Sequence, residues 1–182
     1  IARLFNTYGP KMDLYDGRVI TNFIKEIKND KPVQIYGDGS QTRSFCYIDD
    51  MIRGLVSFMS LEENIITPVN IGNPDCEFTM NELVGVFQSA LRRESDGEGD
   101  GAFDVKYLPR TQDDPMCRRP VITKAEELFG FSCVVGLEEV AQAAVGAQEV
   151  TEGFVDFVTC GELGAVVEAG EKGAVDFKEI EA

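Results

Sequence analysis

The segment VQIYGDGSQTRSFCYIDD, residues 33–50, constrains this chain more than any other stretch. Two short apolar runs, Val33-Gln-Ile35 and Ser44-Phe-Cys-Tyr-Ile48, flank Gly37-Asp38-Gly39. Glycine reaches positive φ without a Cβ penalty, so this trio reverses the chain within a few residues and the segment is expected to form a hairpin. The turn then projects Tyr36, Ser40, Gln41, Thr42 and Arg43 as a cluster. An aromatic face, two hydroxyls, an amide and a guanidinium suit a nucleotide or a phosphorylated sugar. A polar hairpin whose side chains are simply solvated has the same composition.

At 182 residues the chain is long enough for one domain with a core, or for part of a larger one. Its formal net charge of −15 argues against nucleic acid or an anionic membrane surface as partner, because both need a basic face. Against that background Arg43, Arg110, Arg118 and Arg119 either focus positive potential on one anionic ligand or pair with the abundant carboxylates. Five widely spaced cysteines with no C-x-x-C, together with the absence of histidine, exclude a zinc site and a histidine general acid. Reduced thiols in a cytosol-like compartment are the simplest account of them. No apolar run approaches the ~18 residues of a membrane span. The chain starts at Ile1 on an apparent mid-strand, which reads as a piece of a longer protein.

In chain order, residues 1–5 form a short apolar run closed by Asn6-Thr7-Tyr8-Gly9-Pro10. Open α/β sheets place ligand contacts at such strand ends, although Asn6 and Thr7 serve equally as turn caps. Residues 18–30 carry Val19, Ile20, Phe23, Ile24 and Ile27 at helical spacing. Asp49 or Asp50 is expected to cap a second helix whose apolar residues are Met51, Ile52, Leu55, Val56, Phe58 and Met59, the methionines filling core. Residues 68–72 read as a strand, and Thr79-Met-Asn-Glu82 matches a capping box opening a third helix. The acidic, glycine-rich residues 94–101 lack the ordered ligand spacing of a calcium loop and read as surface loop. Residues 104–108 read as a strand, residues 109–120 as a long loop, and Thr123-Lys-Ala-Glu126 as a second capping box for a helix stopped by Gly130. Beyond Cys133 the composition turns to Val, Ala, Gly and Glu; a helix is expected over 137–150.

The blocks ARLFNTYGPKMDLYDGRVITNFI, VQIYGDGSQTRSFCYIDD, VNIGNP, EFTMNELV and DDPMCRRPVITKAEELFGF carry a family likeness. Over residues 1–131 the chain resembles the carboxy-terminal part of the UDP-glucuronic acid decarboxylases (UDP-xylose synthases), which are extended short-chain dehydrogenase/reductases. YGDGSQTR with a following Y-I-D-D points to the nucleotide-sugar superfamily. F-N-T-Y-G-P, D-G-R-V and DDP-x-x-R-x-P favour the decarboxylase over a 4,6-dehydratase or a C4-epimerase. The resemblance implies an α/β fold, with this chain the nucleotide-sugar-binding portion (residues 1–133) and the NAD-binding Rossmann part mostly absent. Residues 134–182 then form a divergent acidic tail with no assigned domain; only Gly136-Leu-Glu-Glu139 is faintly similar to the family's closing strand, and Val121 stands where the family has aspartate.

The family's reaction oxidises the sugar C4 hydroxyl with NAD, which turns the C5 carboxylate into a β-keto acid that loses CO2; the ketone is then reduced. Carried over by position, the resemblance implies that Thr7 and Arg18 reach the NAD. It also implies that Asn6, Tyr36, Gln41, Arg43 and Arg118 contact the UDP-sugar, Arg43 positioning the substrate, with Arg110 and Arg119 weaker candidates. It implies no catalytic residue here, since the chain has no Tyr-x-x-x-Lys and no G-x-x-G-x-x-G turn. Homodimers are expected of the intact protein, and relatives occur in cytosol and Golgi lumen. From another class, a non-catalytic interaction module remains the alternative.

Overall fold

The computed structural model describes residues 1–94, 102–137, 141 and 154–155. The chain opens with three short strands, β1 (Ala2–Leu4), β2 (Thr7–Tyr8) and β3 (Met12–Asp13), and then α1 (Val19–Lys28). Next come β4 (Val33–Tyr36), β5 (Thr42–Ser44), β6 (Cys46–Tyr47) and α2 (Ile48–Met59). They are followed by β7 (Val69–Ile71), β8 (Glu77–Thr79) and α3 (Met80–Glu94). Beyond these lie β9 (Val105–Leu108), β10 (Cys117–Arg118), α4 (Thr123–Phe129) and β11 (Phe154–Val155). The result is a mixed α/β structure of short, mostly parallel pairs: β1 with β7, β2 with β6, β4 with β9 and β5 with β10. Antiparallel pairing joins β5 to β8 and β3 to β11.

Two apolar clusters hold these pairs together. The larger collects Phe23 and Ile24 of α1, Val33 and Ile35 of β4, Leu83 and Phe87 of α3, and Tyr8 and Phe45. Phe23 and Phe87 meet edge to face at 5.6 Å, and each such buried side chain stabilises the fold by about 1.5–3 kcal/mol. The smaller cluster packs Met51 of α2 and Ala125 of α4 on Val69 and Ile71 of β7, closed by Phe131. Helix and strand approach closely there because residue 54 has no side chain: a Cβ at Gly54 would stand 2.6 Å from the Phe131 ring and 2.9 Å from Ile71.

Helices α1 to α4 form where helices are expected, and Thr79 and Glu82 make the reciprocal capping box, Thr79 N–H to Glu82 Oε2 at 2.8 Å and Glu82 N–H to Thr79 Oγ1 at 3.0 Å. Gly130 closes α4 in the left-handed conformation, φ 64°.

Four expectations are overturned. Residues 33–48 are not a hairpin. β4 pairs with β9, some seventy residues away, and β5 lies between β8 and β10. The Gly37-Asp38-Gly39 turn docks instead on the start of α3, where Asn81 donates its amide N–H to Asp38 O at 3.0 Å and its backbone N–H to Gly39 O at 3.2 Å. Gly39 has φ 77°, and a Cβ there would lie 2.2 Å from Asn81 Oδ1. Secondly, neither Asp49 nor Asp50 caps α2: Tyr47 holds the cap position without a side-chain bond, and Asp50 lies buried in the first turn. Thirdly, Met51 fills core, but Met59 at the end of α2 is 81% exposed. Fourthly, Thr123 lies inside α4 and makes no cap; the turn is closed by Ile122 O, which accepts from Ala125 and Glu126.

Asp50 has a different task. Its Oδ2 accepts the backbone N–H groups of Val134 and Val135 at 3.0 and 3.1 Å, and its Oδ1 accepts Arg53 Nη2 at 2.7 Å. Tyr8 donates its hydroxyl to Gly136 O at 3.2 Å, and Leu137 is buried in the larger cluster. Residues 134–137 are thereby bound into the body of the protein. The four described cysteines are free, and Cys46 Sγ sits 3.8 Å from Cys133 Sγ. That hydrogen bond, and then burial, push the Cys46 thiol far above its usual range. The acidic stretch 95–101 and most of the helix expected over 137–150 lie outside the described residues.

Candidate functional site

A cavity of about 350 Å³ opens between the ends of β2 and β4, the start of α1 and the loop before β10. Parallel strands end there, where backbone turns away and side chains take over the lining. Its apolar side is Met12, Val19, Ile20, Phe23, Ile35, Phe45 and Met80. Its polar side carries Asn6, Thr7, Arg18, Tyr36, Gln41, Arg43 and Arg118, whereas the other candidates Ser40, Thr42, Arg110 and Arg119 do not line it.

Each is held by its own element. The β2 to β6 pairing fixes Asn6, whose carbonyl accepts from Cys46 N–H at 2.9 Å. Thr7 Oγ1 donates to Phe5 O at 3.0 Å, and Arg18 bridges to the same strand end, Nη1 donating to Thr7 O at 3.2 Å. Asp16, 3.2 Å from Arg18 Nε, holds the other side of that guanidinium. Tyr36 ends β4 half-exposed, and its carbonyl accepts Gln41 Nε2 at 2.6 Å, so the buried glutamine braces the turn from inside. The Asp38 carboxyl in that turn is held below the usual carboxylate range by the Ser40 hydroxyl and then the Ser40 amide.

Arg43 forms the centre of the polar wall. Its neighbours Ser44 and Phe45 follow it into the core, and it is itself only 8% exposed. Nη1 donates to Thr42 O at 2.6 Å and to Pro115 O at 2.9 Å, and Nη2 donates to Asp114. A guanidinium has five N–H donors, so Nε and one Nη2 hydrogen are left without an acceptor among the described residues. Arg118 reaches the cavity from β10, which the Thr42 to Met116 hydrogen bond of 2.7 Å sets in register beside β5. Its guanidinium has no partner among the described residues.

The arginines sit in two settings, Arg43 and Arg118 on the cavity wall and Arg110 and Arg119 outside it. Arg119 is a structural pairing residue: Nε donates to Pro74 O at 2.9 Å and lies 3.6 Å from Glu77. Arg110 donates to Asp114 O, and neither it nor Arg119 lines the cavity. Sequence reasoning missed Gln34, Thr111 and Asp114, which also line it. Asp114 stood in the quoted DDP block, but a carboxylate is no ligand for an anion, and only its contact with Arg43 shows why it is there.

The mixed α/β fold is similar to that of solved epimerases of the extended short-chain dehydrogenase/reductase class. Residues 1–72 match the model of the NAD dependent epimerase/dehydratase family. Among curated proteins, the chain is 44% identical over 139 residues to UDP-glucuronic acid decarboxylase 2 of Arabidopsis thaliana, covering 76% of this chain and 29% of the relative. It is likewise 44% identical to UDP-glucuronic acid decarboxylase 1 of Danio rerio, covering 76% of this chain and 31% of the relative. Among solved structures, UDP-glucuronic acid 4-epimerase from Bacillus cereus, in complex with UDP-glucuronic acid and NAD, superposes with a TM-score of 0.65 at 31% identity, covering 78% of this chain and 42% of that one. The chain thus spans about a third of the length of the curated relatives it matches.

Proposed function

We propose that this chain is the nucleotide-sugar-gripping part of an NAD-dependent UDP-glucuronate decarboxylase, which makes UDP-xylose. The observation that carries the reading is the convergence of the sequence-marked residues on one cavity, with unsatisfied N–H donors on Arg43 and an unpartnered Arg118 facing it. Two planar guanidinium groups donate parallel pairs of hydrogen bonds to diphosphate or carboxylate oxygens, a geometry lysine does not reproduce. Tyr36 and Gln41 stand at the turn to meet the uridine, and Asn6 beside them to meet the diphosphate.

Arg18 and Thr7 fit the edge of a dinucleotide: the Arg18 side chain is 59% exposed and cationic, with Asp16 at Nε and the Thr7 carbonyl at Nη1. When bound, NAD accepts and returns the hydride at the sugar carbon. The work of this chain is to hold the sugar in one orientation while that happens, and fixed cationic donors stabilise the charge left on the sugar after CO2 departs. In this reading the 182 residues, with no Tyr-x-x-x-Lys in their sequence, bind substrate without turning it over. In the same reading the intact protein pairs as a homodimer.

The likeness to the 4-epimerase supports a second reading, inversion at C4 of the same UDP-glucuronate. CO2 release from UDP-glucuronate by a full-length relative separates the two. For the chain itself, calorimetric titration with UDP is expected to show binding that Arg43→Ala abolishes. A folded chain that ignores UDP, or an Arg43→Ala variant that binds as well as the parent, would refute the site; UDP-xylose formed by the purified chain would refute the claim that it only binds.

A further inference from the structure

Among the described residues that line the cavity, Asp114 is the one carboxylate. An anion site gains nothing from a fixed negative charge in its wall, so its position calls for an explanation. The residue sits on a short turn that Arg43 and Arg110 hold from both sides: Arg43 donates to Pro115 O and to the Asp114 carboxylate, and Arg110 to Asp114 O. Asp113, with φ 64°, makes the bend that presents the Asp114 side chain to Arg43, a conformation aspartate tolerates better than most residues. The backbone of the turn is thus fixed by bonds that do not involve the carboxylate. The Asp114 side chain is 29% exposed and the Arg43 side chain only 10%. The acid therefore has solvent to rotate into, and the guanidinium stays where it is.

We propose that Asp114 is a displaceable counter-charge. It occupies an Nη2 donor of Arg43 and yields it to an anionic ligand, so it sets how much negative charge a ligand must bring to bind. This rests on the reading of the cavity as a diphosphate site. Asp114 acts on the ligand through Arg43 and is a positioning residue, whose loss strengthens binding while the Arg43 scaffold of backbone bonds persists.

The test is calorimetric titration of the full chain with UDP, in parallel with Asp114→Asn and Asp75→Asn. Asp75 is 92% exposed, lies 4.0 Å from Arg119 outside the cavity, and controls for the change in overall charge. Asp114→Asn is expected to bind UDP about fivefold more tightly, the factor to which a partly exposed ion pair of ordinary strength corresponds, with Asp75→Asn unchanged. Tighter binding cannot come from damage to the fold. An Asp114→Asn variant that binds equally or more weakly overturns the proposal and leaves the site standing, and so does an equal gain in both variants. No UDP binding by the parent or either variant overturns the site and the proposal with it.

Discussion

Asp50 and Asp114 each accept from one arginine, but the burial is reversed between them. The Asp50 side chain is fully buried and its partner Arg53 is 42% exposed; the Asp114 side chain is 29% exposed and its partner Arg43 only 10%. Around Asp50 the polar groups meet their needs internally, two backbone N–H groups and a guanidinium converging on one carboxylate. Around Asp114 the arginine is the buried member and has donors to spare at a cavity wall. Removing a buried acceptor strands the groups that pointed at it, whereas removing an exposed one lets water take over. The same pair of residue types thus serves as a clamp in one region and as part of a receptor in the other.

The comparison is broken most directly at the clamp. Asp50→Ala leaves Val134 N–H, Val135 N–H and Arg53 without their acceptor and is expected to cost about 3 kcal/mol in urea denaturation. Asp114→Asn, which keeps an acceptor for Arg43, costs about 1 kcal/mol or less; equal losses at the two positions would abolish the distinction. Gly54→Ala tests the packing beside the clamp. Its methyl meets Phe131 and Ile71, and after the gain in helix propensity the net loss is about 1–2 kcal/mol in the same assay.

A smaller, pH-dependent effect is expected at Glu82, whose carboxyl is held below its usual value by the backbone and then the hydroxyl of Thr79. Because the folded value is the lower one, this stabilisation is present above the unfolded value of 4.5 and is lost as pH falls through the folded one. Melting curves of Glu82→Ala and the parent should therefore differ at pH 7, draw together as the pH falls from 4.5 and converge below the folded value; a gap that persists there would assign the effect to something other than the carboxylate. Smallest, and opposite in sign, is Ser44→Ala. Ser44 Oγ is buried with no hydrogen-bond partner among the described residues, so its removal is expected to be neutral or to stabilise by up to about 1 kcal/mol. A loss well beyond that would reveal a partner for the hydroxyl.

Much of the site was legible in the residues, and much of its construction was not. The resemblance marked Arg43 and Arg118 by their motif positions, and both face the cavity. Asp114 escaped because its role exists only in relation to Arg43, a residue 71 positions earlier. Asp50 was read as a helix cap because aspartate at the head of an apolar run usually is one; its true acceptor role depends on Val134 and Val135, more than eighty residues on.

The sequence by itself determined the features whose partners lie within one helical turn: the apolar faces of α1 and α3, the Thr79 to Glu82 box and the glycine stop at Gly130. These depend on spacings of three or four residues, which a linear reading contains. Tertiary structure alone decided which strands pair. Val33 to Tyr36 lies beside Val105 to Leu108 and not beside its neighbour across the turn, because parallel partners are selected by the core that α1 and α3 share with β4. A β-strand carries the same unpaired backbone groups on both edges, so its sequence states that it needs a partner and leaves the choice to packing.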